Sequence, residues 1–398
     1  MSSKLKRLEI HNFRSLADVD VRIGDLNILF GPNGAGKSTF LDTVWFIRDC
    51  AISGVDAASS ERSHGIGALW DGAREGDNIS IKLETELAEY ETSFGYSSGR
   101  IEPFVGETLN SKKRRLRLID RKIGSDKADF YHTNYDGLVT APLREPEKLA
   151  LTRYLALEDN SEEAYELDQL LHFVHSYQAR AANLYSLKKR GAESSYQTWL
   201  TARGENLWSV LRNLHDRRGV DERHETILGF MKESFPTFRD LLIEQTGPET
   251  VYGSFLEDGL RLPIKASGVS DGHLQMLIHL TSLFSEGKGR ESLIMFDEPE
   301  ISLHPYALSV LARAVKLAAC EWNKQVFIAT HSPVLISQFD PISILATGRL
   351  ENGKTVMRRV SEMEDIKDLL ETYAAGSLYM AEMIAPQSAA SVGEKVND

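Results

Sequence analysis

The chain has 398 residues, of which 42% are apolar and 26% are charged, a composition typical of a folded soluble protein. Its formal net charge of −12 disfavours nucleic-acid binding by overall attraction, although a local basic patch can act against the global balance. Two distant cysteines, no signal peptide and no apolar run of about eighteen residues favour a cytoplasmic protein that has no disulfide framework and no membrane partner.

The first part of the chain has the patterns of β-strands. Apolar and polar residues alternate at Leu5 to Ile10 and at Ala17 to Ile23, which is typical of two paired strands. The apolar run Leu26 to Phe30 predicts a third strand. Strand-like stretches continue between residues 78 and 140 and predict an antiparallel sheet. We expect residues 1–144 to form an N-terminal lobe.

From residue 145 to 234 the apolar positions recur at helical spacing, which predicts a helical insertion. The positions that define this spacing are Leu167, Leu170, Leu171 and Val174. Short apolar runs separated by a helical stretch around Leu308 are then typical of buried parallel strands with crossovers. These runs are 293–296, 325–329 and 342–346. We expect 235–385 to form a C-terminal lobe and the small, polar segment 386–398 to be disordered.

The stretch "GPNGAGKST", residues 31–39, connects the third predicted strand to a predicted helix. Glycines at this spacing let successive N–H groups point inward around a polyphosphate, and the helix aims its positive end at the charge. In such a loop the lysine reaches the β- and γ-phosphates and the serine hydroxyl binds Mg²⁺. We therefore predict ATP and Mg²⁺ as ligands, with Ser38 as a metal ligand. The predicted ATP contacts are Asn33, Gly34, Ala35, Gly36, Lys37, Ser38 and Thr39.

The stretch "SLIMFDEPEISLHP", residues 292–305, has the pattern of an apolar strand that ends in Asp297 and Glu298. If this strand ends beside the phosphate loop, Asp297 can bind Mg²⁺ and Glu298 can accept a proton from the attacking water. The two acids have separate tasks because successive strand residues point in different directions. A solvated acidic turn is the alternative, and the upstream phosphate loop makes it the less favoured one.

The stretch "VFIATHSP" places His331 at the end of another apolar strand. An imidazole there can hydrogen-bond a γ-phosphate and respond to its loss, so we predict a catalytic role for His331. A lone histidine is more often structural, but the position at a strand end favours function.

These motifs together resemble an ABC-type ATPase head, with a Walker A loop, a Walker B strand, a D-loop in "ISLHP" and a switch histidine. "LEIHNFRSL" at residues 8–16, with "FDEPEISLHP" and "THSPVLI", narrows the resemblance to the SMC/RecF/OLD branch, particularly its small AAA-type ATPases. The resemblance covers roughly residues 4–50 and 262–346. It implies an α/β P-loop NTPase fold, here with an antiparallel β subdomain and a helical insertion, and a homodimer that holds ATP between two heads.

The resemblance also implies a signature motif upstream of Walker B, where "ASGVSDGHLQML" occupies residues 266–277. Ser270 and Gly272 of one head would cap the γ-phosphate bound by the other. Val-Ser-Asp-Gly-His departs from the common Leu-Ser-Gly-Gly-Gln form, and Asp271 adds a negative charge near the phosphate. A plain helix N-cap is the alternative role for Ser270 or Asp271. The family's Q-loop glutamine has two candidates, Gln178 and Gln197, between which the sequence does not decide.

Two features of the wider branch are not expected in this chain. OLD nucleases carry a metal-binding TOPRIM domain after the switch histidine, whereas 67 residues (398 − 331) follow His331 without a strand-borne Asp-x-Asp pair, so we expect no nuclease activity. About 220 residues (270 − 50) separate Cys50 from Ser270, too few for the long coiled-coil arms of SMC proteins.

A basic run, "SKKRRLRLIDRK" at residues 111–122, stands out in this acidic chain. Its cations are Lys112, Lys113, Arg114, Arg115, Arg117, Arg121 and Lys122. Such a run can contact phosphate backbones without sequence preference. It can equally be a solvated strand pair or turn, which is the favoured interpretation.

The motifs predict an ATPase that converts ATP and water to ADP and phosphate, dimerises on ATP and acts on DNA or a DNA-processing protein in repair, maintenance or phage defence. One alternative is a nucleotide-gated sensor or scaffold with negligible hydrolysis, which the two catalytic acids disfavour. A transporter ATPase subunit is a further alternative, disfavoured by the long insertion, the RecF-like start and the altered signature.

Overall fold

Two large sheets organise the computed structural model, which describes residues 3–158, 160–370, 373–381 and 383–385. One sheet has eight strands and the other has six, and a four-stranded sheet and a two-stranded ribbon complete the β-structure of these residues. None of the helices in the described ranges has the length and apolar character needed to cross a membrane. The segment 386–398, expected to be disordered, lies outside the described residues.

The eight-stranded sheet is antiparallel throughout, in the order β11-β10-β9-β8-β5-β4-β1-β2. The N-terminal elements are β1 (Arg7–Phe13), β2 (Leu16–Arg22), β3 (Leu26–Phe30), α1 (Lys37–Ser53), α2 (Val55–Ser60), β4 (Ile79–Glu84), β5 (Ala88–Phe94), β6 (Tyr96–Ser97), β7 (Arg100–Ile101), β8 (Gly106–Ser111), β9 (Leu116–Arg121), β10 (Lys127–His132) and β11 (Gly137–Pro142). The predicted pairing of the first two strands and the antiparallel sheet between residues 78 and 140 are confirmed.

The segment that follows is mainly helical but contributes a strand to the second large sheet. Its elements are α3 (Ala150–Leu157), α4 (Glu162–His172), β12 (Val174–Gln178), α5 (Leu184–Lys189), β13 (Ala192–Glu193), α6 (Leu207–Asp216) and α7 (Arg223–Ser234). The helical assignment of Val174 was wrong, because α4 ends at His172 and Val174 begins β12. Val174 still faces the core, so it fits the helical spacing without belonging to the helix.

The six-stranded sheet has the order β12-β17-β18-β3-β19-β20 and is parallel except for β20. The C-terminal elements are β14 (Phe238–Gly247), β15 (Thr250–Glu257), β16 (Ile264–Lys265), α8 (Asp271–Phe284), β17 (Ser292–Asp297), α9 (Pro305–Glu321), β18 (Lys324–Thr330), α10 (Pro333–Ile336), β19 (Ile344–Arg349), β20 (Thr355–Arg359), α11 (Lys367–Leu370) and α12 (Ala375–Met380). The three predicted parallel strands are confirmed, with the last beginning at Ile344 after a short 3-10 turn.

Helix α1 packs between the two large sheets. Phe40 lies 6.3 Å from Phe327 of the parallel sheet, and Phe46 lies 5.0 Å from Phe94 of the antiparallel sheet, measured between ring centroids. These side chains belong to one buried apolar cluster. Because densely packed cores resist displacement of their elements, both sheets fix the position of α1 and of the loop that precedes it.

A buried ion pair holds the edge strand β12 on the parallel sheet. His175 Nε2 lies 3.2 Å from Glu286 Oε1, and Lys324 Nζ at the start of β18 lies 3.5 Å from Glu286 Oε2. Burial alone would raise the pKa of Glu286, but the hydrogen bond from His175 and the charges of His175 and Lys324 lower it to about 2. The ionised carboxylate therefore stabilises the folded protein at neutral pH.

We expect the replacement Glu286→Gln to remove a stabilisation that depends on pH. Because the folded-state pKa lies below its ordinary value of 4.5, the carboxylate stabilises the fold above that value and loses its effect as the pH falls toward about 2. The difference in unfolding free energy between wild type and variant should shrink by about 3 kcal/mol over this range. Urea titrations at several pH values measure it, with the exposed Glu61→Gln as control. A difference independent of pH would contradict the ion pair.

Candidate nucleotide site

The phosphate loop lies between β3 and α1 and is backed closely by β19 and β20. Gly36 has a φ of 102°, and a Cβ built there would lie 2.3 Å from Thr355 Oγ1, so a side chain at this position meets both strain and a clash. Thr355 Oγ1 also donates a hydrogen bond to the carbonyl of buried Ala35 at 3.0 Å. Asn33 and Gly34 are exposed at the tip of the loop.

Lys37, the first residue of α1, folds its side chain back across the loop. Its Nζ donates hydrogen bonds to the carbonyl oxygens of Gly31 at 2.8 Å and Pro32 at 2.9 Å. Burial lowers the pKa of Lys37, and the nearby carboxylates, Asp297 first among them, oppose that change. The ammonium therefore lies where a polyphosphate held by the loop would meet it.

Ser38 and Asp297 are brought together, as the sequence predicts. Ser38 Oγ donates a hydrogen bond of 3.0 Å to Asp297 Oδ1 across 259 positions of sequence. Burial raises the pKa of Asp297, and the hydrogen bond from Ser38 lowers it in part. The contact joins the N-terminus of α1 to the C-terminal end of β17.

The donor set at this point fits Mg²⁺. A hydroxyl and a carboxylate are hard oxygen ligands, and Mg²⁺ commonly takes one or two such protein ligands and completes its shell with substrate phosphates and water. Within the described ranges, no group of three or more His, Cys, Asp and Glu side chains could hold a metal ion by itself. A Mg²⁺ ion at Ser38 and Asp297 would take its remaining ligands from phosphate oxygens and water.

Glu298 directly follows β17 and has a φ of 53°, a backbone conformation that residues other than glycine rarely adopt. Its amide donates to the carbonyl of Ala329 at 2.8 Å. Its Oε2 lies 2.7 Å from Nε of Arg180, a side chain that is 74% exposed. Asp297 and Glu298 therefore have different partners, as their separate predicted tasks require.

His331 and the acid Glu300 lie beside Glu298. The His331 amide donates to Glu300 Oε1 at 3.0 Å, and the Thr330 hydroxyl donates to the same oxygen at 2.7 Å. His331 Nδ1 lies 3.6 Å from oxygens of both glutamates, too far for a hydrogen bond. Sequence reasoning missed Glu300, although its position two residues after Glu298 was a usable signal.

The two candidate glutamines occupy different places. Gln178 ends β12 directly opposite Asp297 in the strand register and lines a cavity of about 470 Å³ beside the phosphate loop. Gln197 instead accepts a hydrogen bond from Asn206. The cavity is lined by Arg14, Ser38, Thr39, Leu41, Asp42, Trp45, Ser176, Gln178, Ala181, Ala202, Arg203 and Asp297. Gln178 is therefore the glutamine at the site.

Arg14 is a further site residue that the sequence analysis did not single out. Its Nη1 lies 2.9 Å from Oδ2 of Asp42 on α1, and both line the same cavity. Arg14 has a φ of 51° in the turn between β1 and β2. The turn belongs to the stretch "LEIHNFRSL", which indicated the family resemblance but did not predict a role for Arg14 itself.

The signature segment lies at the N-terminus of α8. Ser270 is the N-cap, with its Oγ 2.7 Å from His273 Nδ1 and 3.4 Å from the His273 amide. A Cβ on Gly272 would lie 2.5 Å from the carbonyl oxygen of Ser302 in the turn after β17, so only glycine fits. Across the described ranges, no hydrogen bond or ion pair joins Ser270 or Gly272 to the phosphate loop of the same chain.

Asp271, the unusual acid of the signature, has a cationic partner. Lys188 Nζ at the end of α5 lies 2.6 Å from Asp271 Oδ1 and donates to the carbonyl of Val269 at 2.9 Å. The ion pair offsets the negative charge that the altered signature adds.

The basic run at residues 111–122 occupies the turn and the second strand of the β8–β9 hairpin, and most of its charges are paired. The pairs are Lys112–Glu84, Lys113–Glu162, Arg114–Glu163, Arg117–Asp120 and the fully buried Arg121–Glu107. The arrangement supports the strand-pair interpretation over a phosphate-binding patch.

Comparison with known proteins places these features in context. A family model described as "AAA domain, putative AbiEii toxin, Type IV TA system" matches residues 26–337. The OLD nuclease of Escherichia phage P2 is 23% identical over 376 residues, which cover 91% of this chain and 62% of the nuclease, so the chain spans less than two thirds of that relative. The DNA replication and repair protein RecF of Shewanella loihica is 31% identical over 102 residues, 25% of this chain and 26% of RecF.

Among solved structures, an SMC head bound to the C-terminal winged-helix domain of ScpA is similar in fold, with a TM-score of 0.56 and 11% identity. The similarity covers 89% of this chain and 97% of that head. The fold is thus that of a P-loop NTPase of the ABC head type, as predicted.

We expect Lys37→Ala to weaken ATP binding at least about tenfold, because a charge-assisted contact to the phosphates is lost while the fold is retained. Calorimetric titration measures the affinity, and a thermal melt checks the fold. Lys6→Ala removes an exposed lysine away from the loop and is the control. Unchanged affinity for ATP in Lys37→Ala would remove the phosphate-loop assignment.

Proposed function

The chain belongs to the AAA family described above and is an ABC-type ATPase head of the SMC/RecF/OLD branch. On that premise we propose that it binds ATP with Mg²⁺ and hydrolyses the ATP between two heads. We propose that this hydrolysis drives a DNA-linked process of repair, maintenance or phage defence. The observation that carries this proposal is the hydrogen bond between Ser38 and Asp297. It brings the proposed metal-binding hydroxyl and carboxylate together beside the phosphate loop.

In the proposed reaction, the loop amides bind the ATP phosphates, and Lys37 exchanges its carbonyl partners at Gly31 and Pro32 for phosphate oxygens. A Mg²⁺ ion held by Ser38 and Asp297 would supply neutralising charge to the phosphates. Glu298 accepts the proton of the attacking water. His331, beside Glu298, donates to the γ-phosphate.

The proposed second half of the site comes from the partner head. The N-terminus of α8, where Ser270 is exposed and Gly272 is buried, would offer the Ser270 hydroxyl and the Gly272 amide to a γ-phosphate bound by the other head. The ion pair between Lys188 and Asp271 supports this role, because it reduces the repulsion between the altered signature and the nucleotide.

The DNA link is supported by the names of the relatives, an OLD nuclease and a DNA replication and repair protein. These names describe proteins that align with this chain over part of their own length. We propose for this chain the ATPase head function alone, with DNA or a DNA-processing protein as partner.

One contact favours a second candidate, a nucleotide-gated sensor with slow hydrolysis. Arg180 holds an oxygen of Glu298 at 2.7 Å, and a general base must be free to accept a proton. If Arg180 restrains the base, the head turns over slowly until a partner displaces the arginine.

We expect Arg180→Gln to raise steady-state phosphate release a few-fold, because Glu298 loses its ionic partner. The control is Arg115→Gln. Arg115 is an exposed cation of the β8–β9 hairpin, and its side chain has no carboxylate partner among the described residues. A fall in turnover with Arg180→Gln would contradict the restraint and would assign Arg180 to catalysis instead.

We expect Glu298→Gln to bind ATP without hydrolysing it and to become dimeric with ATP and Mg²⁺, since uncleaved ATP is a ligand shared by two heads. Adding Ser270→Arg should abolish that dimer by placing bulk and charge at the cap, whereas Ser267→Arg, three residues upstream, should not. Light scattering measures the mass. A mass independent of ATP, or a dimer unaffected by Ser270→Arg, would contradict the shared site.

A further inference from the structure

The segment 180–218 is a basic surface in an acidic chain. It contains eight basic and three acidic residues, while the whole chain has 46 Lys and Arg against 58 Asp and Glu. Arg180 pairs with Glu298 and Lys188 with Asp271. The cations of this segment that lack a carboxylate partner among the described residues are Lys189, Arg190, Arg203, Arg212, Arg217 and Arg218.

Exposed aromatic side chains are interleaved with these cations. Tyr185 is 67% exposed, Tyr196 is 70% exposed and Trp199 is 47% exposed. The last two lie on a loop at residues 194–201, which we call the aromatic loop. The β8–β9 hairpin, the other basic run, has no such aromatic residues in its sequence.

Hydrogen bonds to α6 hold the backbone of the aromatic loop. Asn206 Nδ2 donates to the carbonyl of Trp199 at 3.0 Å. Asn213 Nδ2 donates to the carbonyls of Ser195 at 2.9 Å and Gln197 at 3.1 Å. The rings are thus presented to solvent from a fixed backbone, so little backbone conformational entropy is lost when they bind a ligand.

Cations lie directly beside these rings. The Arg217 guanidinium is 5.7 Å from the centroid of the Tyr196 ring, and Arg212 Nη1 lies 3.4 Å from Ser194 Oγ. Tyr196 and Trp199 are three residues apart, so their Cα atoms lie within about 11 Å of each other. The surface therefore combines two neighbouring flat apolar faces with unpaired positive charge.

The aromatic loop leads into the nucleotide cavity. Ala202 and Arg203, which follow the loop, line the cavity together with Ser38 and Asp297. The Arg203 carbonyl accepts a hydrogen bond of 2.9 Å from the Asn183 amide and so fixes this part of the chain. A ligand on the loop would lie on a segment that continues to the ATP site.

We propose that the aromatic loop and its cations bind single-stranded nucleic acid, an inference that rests on the proposed DNA-linked function and names its substrate class. Unpaired bases expose faces that stack on Tyr196 and Trp199, while the phosphates meet Arg212 and Arg217. A duplex hides those faces within its own stack, so it can use only the charges. Stacking tolerates any base, so the binding is independent of sequence.

The test is fluorescence anisotropy of the full chain with labelled oligothymidine, oligouridine and a duplex of equal length at low salt, with and without ATP. We expect both single strands to bind more tightly than the duplex, and the affinity to fall steeply with salt. The double variant Tyr196→Ala, Trp199→Ala should weaken single-strand binding by about tenfold or more, whereas the double variant Tyr196→Phe, Trp199→Phe should retain it. Tyr135→Ala, at a residue that is 73% exposed outside this segment, is the matched control and should have no effect.

Several results would overturn the proposal. They are the absence of single-strand binding, a preference for the duplex, or equal loss in the alanine and control variants. A loss of ATP-dependent dimerisation in the alanine variant without loss of oligonucleotide binding would identify the surface as a contact between heads and would equally overturn it. ATP affinity and phosphate release, measured on the same samples, separate this failure from failure of the ATPase proposal.

Discussion

The packing of α1 between two sheets is the constraint on which the site depends. Because α1 buries aromatic side chains against both the parallel and the antiparallel sheet, its N-terminus cannot shift without opening two cores. That N-terminus carries Lys37 and Ser38. The hydrogen bond from Ser38 to Asp297 then ties it to the end of β17. The phosphate loop is thus preorganised by its surroundings, although it is a loop of small residues.

The N-terminus of α8, which carries the signature segment, packs against the turn that follows β17 and is thereby connected to the same group of elements. Gly272 packs against the carbonyl of Ser302, and both Ser302 and Glu298 have positive φ angles. Such conformations are costly for residues other than glycine and persist only where the surroundings hold them. Any relaxation of this turn moves the carbonyl on which Gly272 rests. The turn that carries Glu298 and the signature segment are therefore in direct contact within one chain.

The local parts of this arrangement could be predicted from sequence, and the long-range parts could not. The phosphate loop and the parallel strands each depend on a short pattern, so they were recognised. Gln178 could be preferred over Gln197 only from the register of β12 with Asp297, which no local pattern contains. The contact of Arg180 with Glu298 joins residues 118 positions apart (298 − 180) and was missed for the same reason.

The pairing of charges also depends on long-range contacts that the sequence does not reveal. The basic run at 111–122 is the denser cluster in sequence, yet acids of its own hairpin and of distant segments neutralise most of it. Glu107 of β8 pairs with Arg121, and Glu163 of α4 pairs with Arg114. The cations around the aromatic loop have no carboxylate partner among the described residues, and only three acids lie within the segment 180–218. Since interactions between exposed charges are screened beyond about 8 Å at physiological salt, acids that lie farther than this from the loop do little to cancel the local field. The net charge of −12 therefore says less about nucleic-acid binding than does the pairing of each cation, which only the folded chain determines.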